Sequence, residues 1–315
     1  DWSSDVCSSD LPTSSFADVA PILERRCATC HQPREIGPFS LLAYDEVAGW
    51  APMIRETVAD GRMPPWPGGE PLGTFANDKR LTPAEKSLLL RWIDEGCPEG
   101  RKIPPIAPPN PPTEDGWHIG RPDVVYTIGD KPFELPASGD IDYQFYTVDP
   151  KFTEDRWLQA VEFLPGNRSV VHHAAASIAY PESMKKQEFG FFGFAPGTEP
   201  LVLTGGRAVH VPAGSVFKFQ IHYTPIGVKT TDRSRFGLKF IQGDPNLKLM
   251  IPFGAIADLR MEIPPHAREH RVWAATMIDK DFELWSIFPH MHLRGSSAYI
   301  DACMPDASKI GGAHV

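Results

Sequence analysis

Residues 103–117 read IPPIAPPNPPTEDGW, and this stretch constrains the chain more than any other. Proline lacks a backbone N–H and locks φ, so a run this dense cannot lie inside a helix or a central strand. It forms an extended, semi-rigid spacer, and a domain boundary is expected there. Before it, apolar residues recur at helical spacing. After it, they alternate in short runs bounded by Gly, Pro, Asn and Asp. The 315 residues include 33 Pro and 26 Gly, which favours many short strands and turns over a helical bundle. Hydrophobic residues at 42% and charged ones at 23% argue against wholesale disorder. The balance of 31 Lys+Arg against 40 Asp+Glu gives −9, with no basic run, which argues against a nucleic-acid partner. No apolar run approaches the roughly 18–20 residues of a membrane span. Five cysteines exclude a disulfide scaffold.

Residues 1–11, DWSSDVCSSDL, have no apolar period and resemble a translated sequencing adapter; they are expected to be non-native, and Cys7 carries no weight. From residue 12 the pattern turns helical. FADVAPILERR predicts a helix capped by Asp18 with Pro21 in its first turn, running into Cys27-Ala-Thr-Cys30-His31. C-x-x-C-H is the c-type haem attachment motif. Two thiols three residues apart each add to one haem vinyl group, and the adjacent imidazole turns onto the iron. A zinc site would need two more Cys or His nearby, which Cys97 alone does not supply. Met63, in GRMPPW, is the expected sixth iron ligand, with Met53 as its rival. A second helix is predicted from Thr82 to Glu95, with Thr82 as cap, Pro83 first, Glu85 completing a capping box and Gly96 ending it. Residues 12–103 resemble a small all-α cytochrome c domain, followed by a Pro-rich linker at 104–122.

Beyond the linker, the runs at 123–128, 156–163, 169–178, 215–223 and 236–241 predict one β-sandwich, and those at 247–251, 259–263, 271–277, 283–289 and 297–301 a second. Five of eleven histidines fall on strand-like segments: His172 and His173 in VVHHAA, His222 in FQIHYTP, and His290 and His292 in FPHMHLRG. Residues i and i+2 of a strand share a face, so His290 and His292 can meet one metal. Adjacent His172 and His173 face opposite ways on a regular strand and need a bulge or strand end to meet. Imidazole-rich sites suit copper, zinc and iron. His118, His210, His266 and His270 are expected to be surface or turn residues.

The segments EDRWLQAVEFLPGNRSVVHHAA, PAGSVFKFQIHYTP and SIFPHMHLRG, in that order, resemble the copper type II, ascorbate-dependent monooxygenases, the family of peptidylglycine α-hydroxylating and dopamine β-monooxygenases. The whole order is similar to bacterial proteins that place a cytochrome c domain before that module. The resemblance implies a multidomain chain: all-α cytochrome c domain, then tandem jelly-roll-like sandwiches at 123–245 and 246–315. It implies haem c on Cys27, Cys30, His31 and Met63. It implies an electron-transfer copper on His172, His173 and His222, and an oxygen-activating copper on His290 and His292, the catalytic pair. The family's second copper takes a methionine from a later strand; Met291 and Met304 are too near to be its counterpart, so the second site and second sandwich are expected to be incomplete here.

The implied reaction is O2-dependent hydroxylation of a C–H bond in a small organic substrate, with electrons from a redox partner or an ascorbate-like reductant passing through the haem. Haem attachment and copper loading imply a periplasmic or secreted protein. The alternative is a non-enzymatic electron carrier whose sandwich binds a partner or holds copper. A metal hydrolase would need a motif such as H-E-x-x-H, which the chain lacks.

Overall fold

A computed structural model of the chain describes residues 14–66, 75–108, 110–185, 188–241, 248–249, 256–258, 260–278, 281, 283–287, 289, 291, 295–306 and 309–314, with 189, 248–249 and 309–314 described by their backbone alone. They form two compact units: Asp1–Pro33 with Gly37–Pro109 and Lys280–Val315, and Arg34–Ile36 with Asn110–Asp279.

The first unit holds four short helices, α1 (Phe16–Arg26), α2 (Tyr44–Gly49), α3 (Ala51–Ala59) and α4 (Pro83–Asp94). Phe16, Val19, Ala20 and Leu23 recur at helical spacing on α1 and are buried. They pack with Ala51, Ile54 and Val58 of α3 and Leu89 and Trp92 of α4. Ser15, not Asp18, caps α1: the Asp18 carboxylate accepts from the Ser15 N–H at 2.8 Å and from its hydroxyl at 2.7 Å. Pro21 consequently lies inside the helix rather than in its first turn. The box at α4 forms as the sequence spells it, with Glu85 N–H donating to Thr82 Oγ1 at 3.2 Å and Thr82 N–H to Glu85 Oε2 at 2.8 Å.

The second unit is β-rich. Its strands are β1 (Val124–Thr127), β2 (Phe133–Leu135), β3 (Gln144–Val148), β4 (Arg156–Leu164), β5 (Val171–Ala179), β6 (Phe189–Phe194), β7 (Leu201–Val202), β8 (Arg207–Val211), β9 (Val216–Tyr223), β10 (Thr230–Asp232), β11 (Arg235–Phe240) and β12 (Lys248–Leu249). One sheet runs β1-β11-β4-β8-β12, with β7 beside β4; a second runs β3-β9-β5-β6; β2 and β10 form a small third. The two larger sheets share one core, in which Phe217 and Phe219 of β9 meet Phe236 of β11 at ring distances of 5.5 and 4.9 Å. Alternation sets the inner face: Phe217, Phe219, Ile221 and Tyr223 point in, and the residues between them point out.

The expected fold class is corrected. Among the described residues the chain is mostly β-sheet with four short helices, and no separate all-α domain is seen before the sheets. The unit that carries the helices also takes in a hairpin, β13 (Tyr299–Cys303) with β14 (Lys309–His314). Helix caps and an apolar stripe specify a helix locally, but not the class of the unit around it. Of the later expected runs, 247–251 contains β12 and 297–301 overlaps β13, while 260–263 and 271–277 contain no strand. Among the described residues no helix is long and apolar enough to cross a membrane.

Candidate metal centre

β5 and β9 are antiparallel neighbours, so the start of one lies beside the end of the other, and His173 is registered against His222. Between Val171 and His173 the register shifts, making His172 the extra residue of a β-bulge. Val171 and Ala174 are buried while His172 and His173 between them are not, so both imidazoles project from the outer face of the sheet. His222 alternates outward between Ile221 and Tyr223 and meets them there.

The three rings form a near-equilateral cluster, with every pair of centroids 5.2 Å apart. One nitrogen from each ring lies within 4.8 Å of the other two. The Nδ1 atoms of His172 and His222 are 3.2 Å apart. Two imidazole nitrogens each about 2.0–2.1 Å from one ion at a tetrahedral angle would stand about 3.3–3.4 Å apart. The donor set and this spacing therefore fit a transition ion of the kind imidazoles hold, copper, zinc or iron.

Two devices hold the ends of the strands. Thr224 N–H donates to the Val170 carbonyl at 2.8 Å, closing the ladder beyond the histidines. Asp232, 3% exposed, accepts from Tyr223 OH at 2.9 Å, Ser234 Oγ at 2.8 Å and Asn167 N–H at 2.8 Å. Burial, and then the Asp232 charge, push the Tyr223 phenol up, so it remains a donor. Asn167, before the histidine pair, and Tyr223, next to His222, are thus tied to one buried carboxylate. A cavity of about 210 Å³ opens beside His172, lined by Arg168, Val170, Val171, Pro196 and Thr224 among others. A larger one, about 350 Å³, lies over the other sheet at His118, Gln159 and Lys239 and includes none of the three imidazoles.

In the helical unit the C-x-x-C-H motif is one tight turn. Cys27 C=O accepts from Cys30 N–H at 3.1 Å and from His31 N–H at 2.9 Å. Cys27 and Cys30 are separate thiols rather than a disulfide, and burial, with Cys30 adding to it, pushes the Cys27 thiol up to about 12. His31 Nδ1 is 3.1 Å from the Phe39 carbonyl, which only accepts, so Nδ1 carries the proton and Nε2 keeps its lone pair. Burial holds the imidazole below its ordinary pKa, hence neutral. Two thiols and an oriented, neutral imidazole on one turn fit the covalent attachment and axial ligation of a haem. Gly37 lies so close that an added Cβ would fall 2.6 Å from Cys30 O and 2.8 Å from His31 Nδ1. Met63 and Met53 are on the surface, 40% and 47% exposed. His290 and His292 lie outside the described residues.

His118 is not the surface or turn residue that the sequence suggests. Its Nδ1 is 2.8 Å from Glu162 Oε1 and its Nε2 3.3 Å from Glu35 Oε1. Glu162 also accepts from the His118 and Ile119 N–H groups, and Arg168 pairs with Glu35 at 3.3 Å. The hydrogen bond it donates to Glu162, then that to Glu35, raise the His118 pKa to about 9. His210 lies on β8 and pairs with Asp155 at 2.8 Å. Tyr143, which no sequence motif marks, has its ring 4.7 Å from His222 and 5.8 Å from His173. It lies one residue before β3, a strand that was not among the expected runs.

No model of a known protein family matches this chain, and no curated protein does.

Proposed function

We propose that this chain is a copper-dependent oxidoreductase of the O2-using monooxygenase type, carrying a c-type haem that supplies electrons. The observation that supports it is the meeting of His172, His173 and His222 on one sheet face. These three residues would hold copper, which when bound stores and passes single electrons. Neutral imidazoles bind through a ring nitrogen, and the bulge is what lets two adjacent ones do so at once. The sheet supplies rigidity: β5 and β9 are its two inner strands, flanked by β6 and β3. His172 is exposed and borders the 210 Å³ cavity, so a small molecule reaches the centre from that side.

Cys27, Cys30 and His31 would attach the haem, whose iron cycles between two oxidation states. Phe39 fixes the His31 tautomer by accepting its Nδ1 proton. His290 and His292 are the pair assigned by resemblance to the oxygen-activating copper, and a small organic C–H substrate is the reactant assigned with them. Export to an oxidising compartment belongs to the same reading.

Metal and haem content per chain, followed by O2 uptake with product analysis on a panel of C–H substrates, tests the proposal. One haem and copper at His172, His173 and His222 are expected, and, once the methionine ligand of the second site is supplied, a second copper and hydroxylation abolished by His290→Ala. Haem with one copper and no turnover even then would replace the enzyme with an electron carrier. Failure of His222→Ala to lower copper content would remove the centre itself.

A further inference from the structure

We infer that Tyr143 is a positioning residue that braces the metal centre before any ion arrives; the inference rests on the copper reading above. β3 pairs with β9 so that Gln144 faces Ile221. One step further along this antiparallel register, Tyr143 falls opposite His222. On the other side of His222 lies His173. Tyr143, at the entry to β3, His222 of β9 and His173 of β5 therefore make a row, with ring distances of 4.7 Å from Tyr143 to His222 and 5.2 Å from His222 to His173. His172, displaced by the bulge, completes the triangle.

The row lies on the outer face of the sheet, away from the shared core. Tyr143 is half-buried there, while Phe145, two residues on, is 70% exposed. The Tyr143 ring is thus not serving the core. The rings it touches are two of the three ligands. Cross-strand aromatic pairs restrict each other's rotamers. An unrestrained imidazole must lose that freedom when it binds an ion, whereas a braced one has lost it on folding. Removing the brace lowers metal affinity without removing a ligand, as loss of supporting groups around metal ligands does elsewhere.

The full-length chain with Tyr143→Phe, Tyr143→Trp and Tyr143→Leu provides the test. Copper(II) affinity is measured by competition with a chromophoric chelator. The copper hyperfine coupling is read by electron paramagnetic resonance, and the apo-protein imidazole signals by NMR. Tyr143→Leu should lose about tenfold in affinity, broaden the His173 and His222 ring signals and shift the hyperfine coupling. Tyr143→Phe and Tyr143→Trp should stay near wild type, with unchanged circular dichroism in all three. If Tyr143→Leu is unfolded, Tyr143→Gln takes its place. Wild-type affinity and ring signals in Tyr143→Leu would overturn the inference and leave the copper reading intact. Equal loss in Tyr143→Phe would also overturn it, since the hydroxyl would then be responsible. A wild-type chain that takes up no copper would overturn both.

Discussion

His118 carries its proton at neutral pH because two carboxylates, Glu162 and Glu35, hold both ring nitrogens. Its folded pKa, raised from 6.5 to about 9, makes its contribution fully present below the unfolded value and lost as pH rises through about 9. Denaturant titrations should therefore show stability falling between about pH 6.5 and pH 10, and His118→Gln should abolish that fall. The same variant replaces the charged partner between Glu162 and Glu35 with a neutral amide, and at neutral pH it should lose about 3 kcal/mol. Gly37 sets a second limit at this scale. Gly37→Ala puts a Cβ 2.6 Å from the Cys30 carbonyl and 2.9 Å from His31 Cα, both backbone atoms that cannot swing aside. A cost of about 1–3 kcal/mol is expected. Loss of the His31–Phe39 hydrogen bond should accompany it, visible as a shift of the His31 ring proton.

Single elements carry the next layer. Partial burial alone would raise the Glu85 carboxyl, but the Thr82 N–H, Arg25 and Arg26 hold it down at about 2. Its contribution is present above the ordinary value of 4.5 and lost as pH falls through about 2. Glu85→Ala removes the cap partner of α4 and its ties to α1 and should cost about 1–2 kcal/mol, with a shallower acid transition by circular dichroism. In β5 the bulge and the ligands can be separated. His172→Ala keeps the bulge and should lower copper affinity with little change in stability. Deleting residue 172 removes the extra residue and leaves Val171, His173 and Ala174 in regular in-out-in alternation against Tyr223, His222 and Ile221. That deletion should lower copper affinity while denaturant titrations give a stability near wild type.

At the scale of the molecule, two compact units imply that heating need not give one transition, so calorimetry is the appropriate probe. A metal that binds the folded sheet and not the unfolded chain raises only the transition of the unit that holds it. At a free concentration about 100 times its Kd, copper should add about 2.7 kcal/mol to the β-rich unit. His222→Ala should abolish the shift. A shift of the helical unit instead would mean that the ion sits elsewhere.

Much of this was readable from local pattern. The runs at 123–128, 156–163, 169–178, 215–223 and 236–241 correspond to β1, β4, β5, β9 and β11. The cap at Thr82 and the turn at Cys27–His31 follow from neighbours a few residues apart, which sequence order already supplies. His172 and His173 were visible as candidates, together with the condition that a bulge must exist for them to meet. Only pairing between strands decided that it does, since His172 and His222 are 50 residues apart and no local term links them. The same limit explains the errors. His118 reads as a residue after a linker until Glu162, 44 positions away, is placed against it. Tyr143 has no motif at all, and its place follows from the register of an edge strand. The all-α first domain was inferred from helix signals that hold for α1 and α4, but the hairpin joining them in one unit lies some two hundred residues later in the chain. Short-range steric and capping preferences act through sequence order, whereas burial, register and charge pairing depend on which distant segments meet.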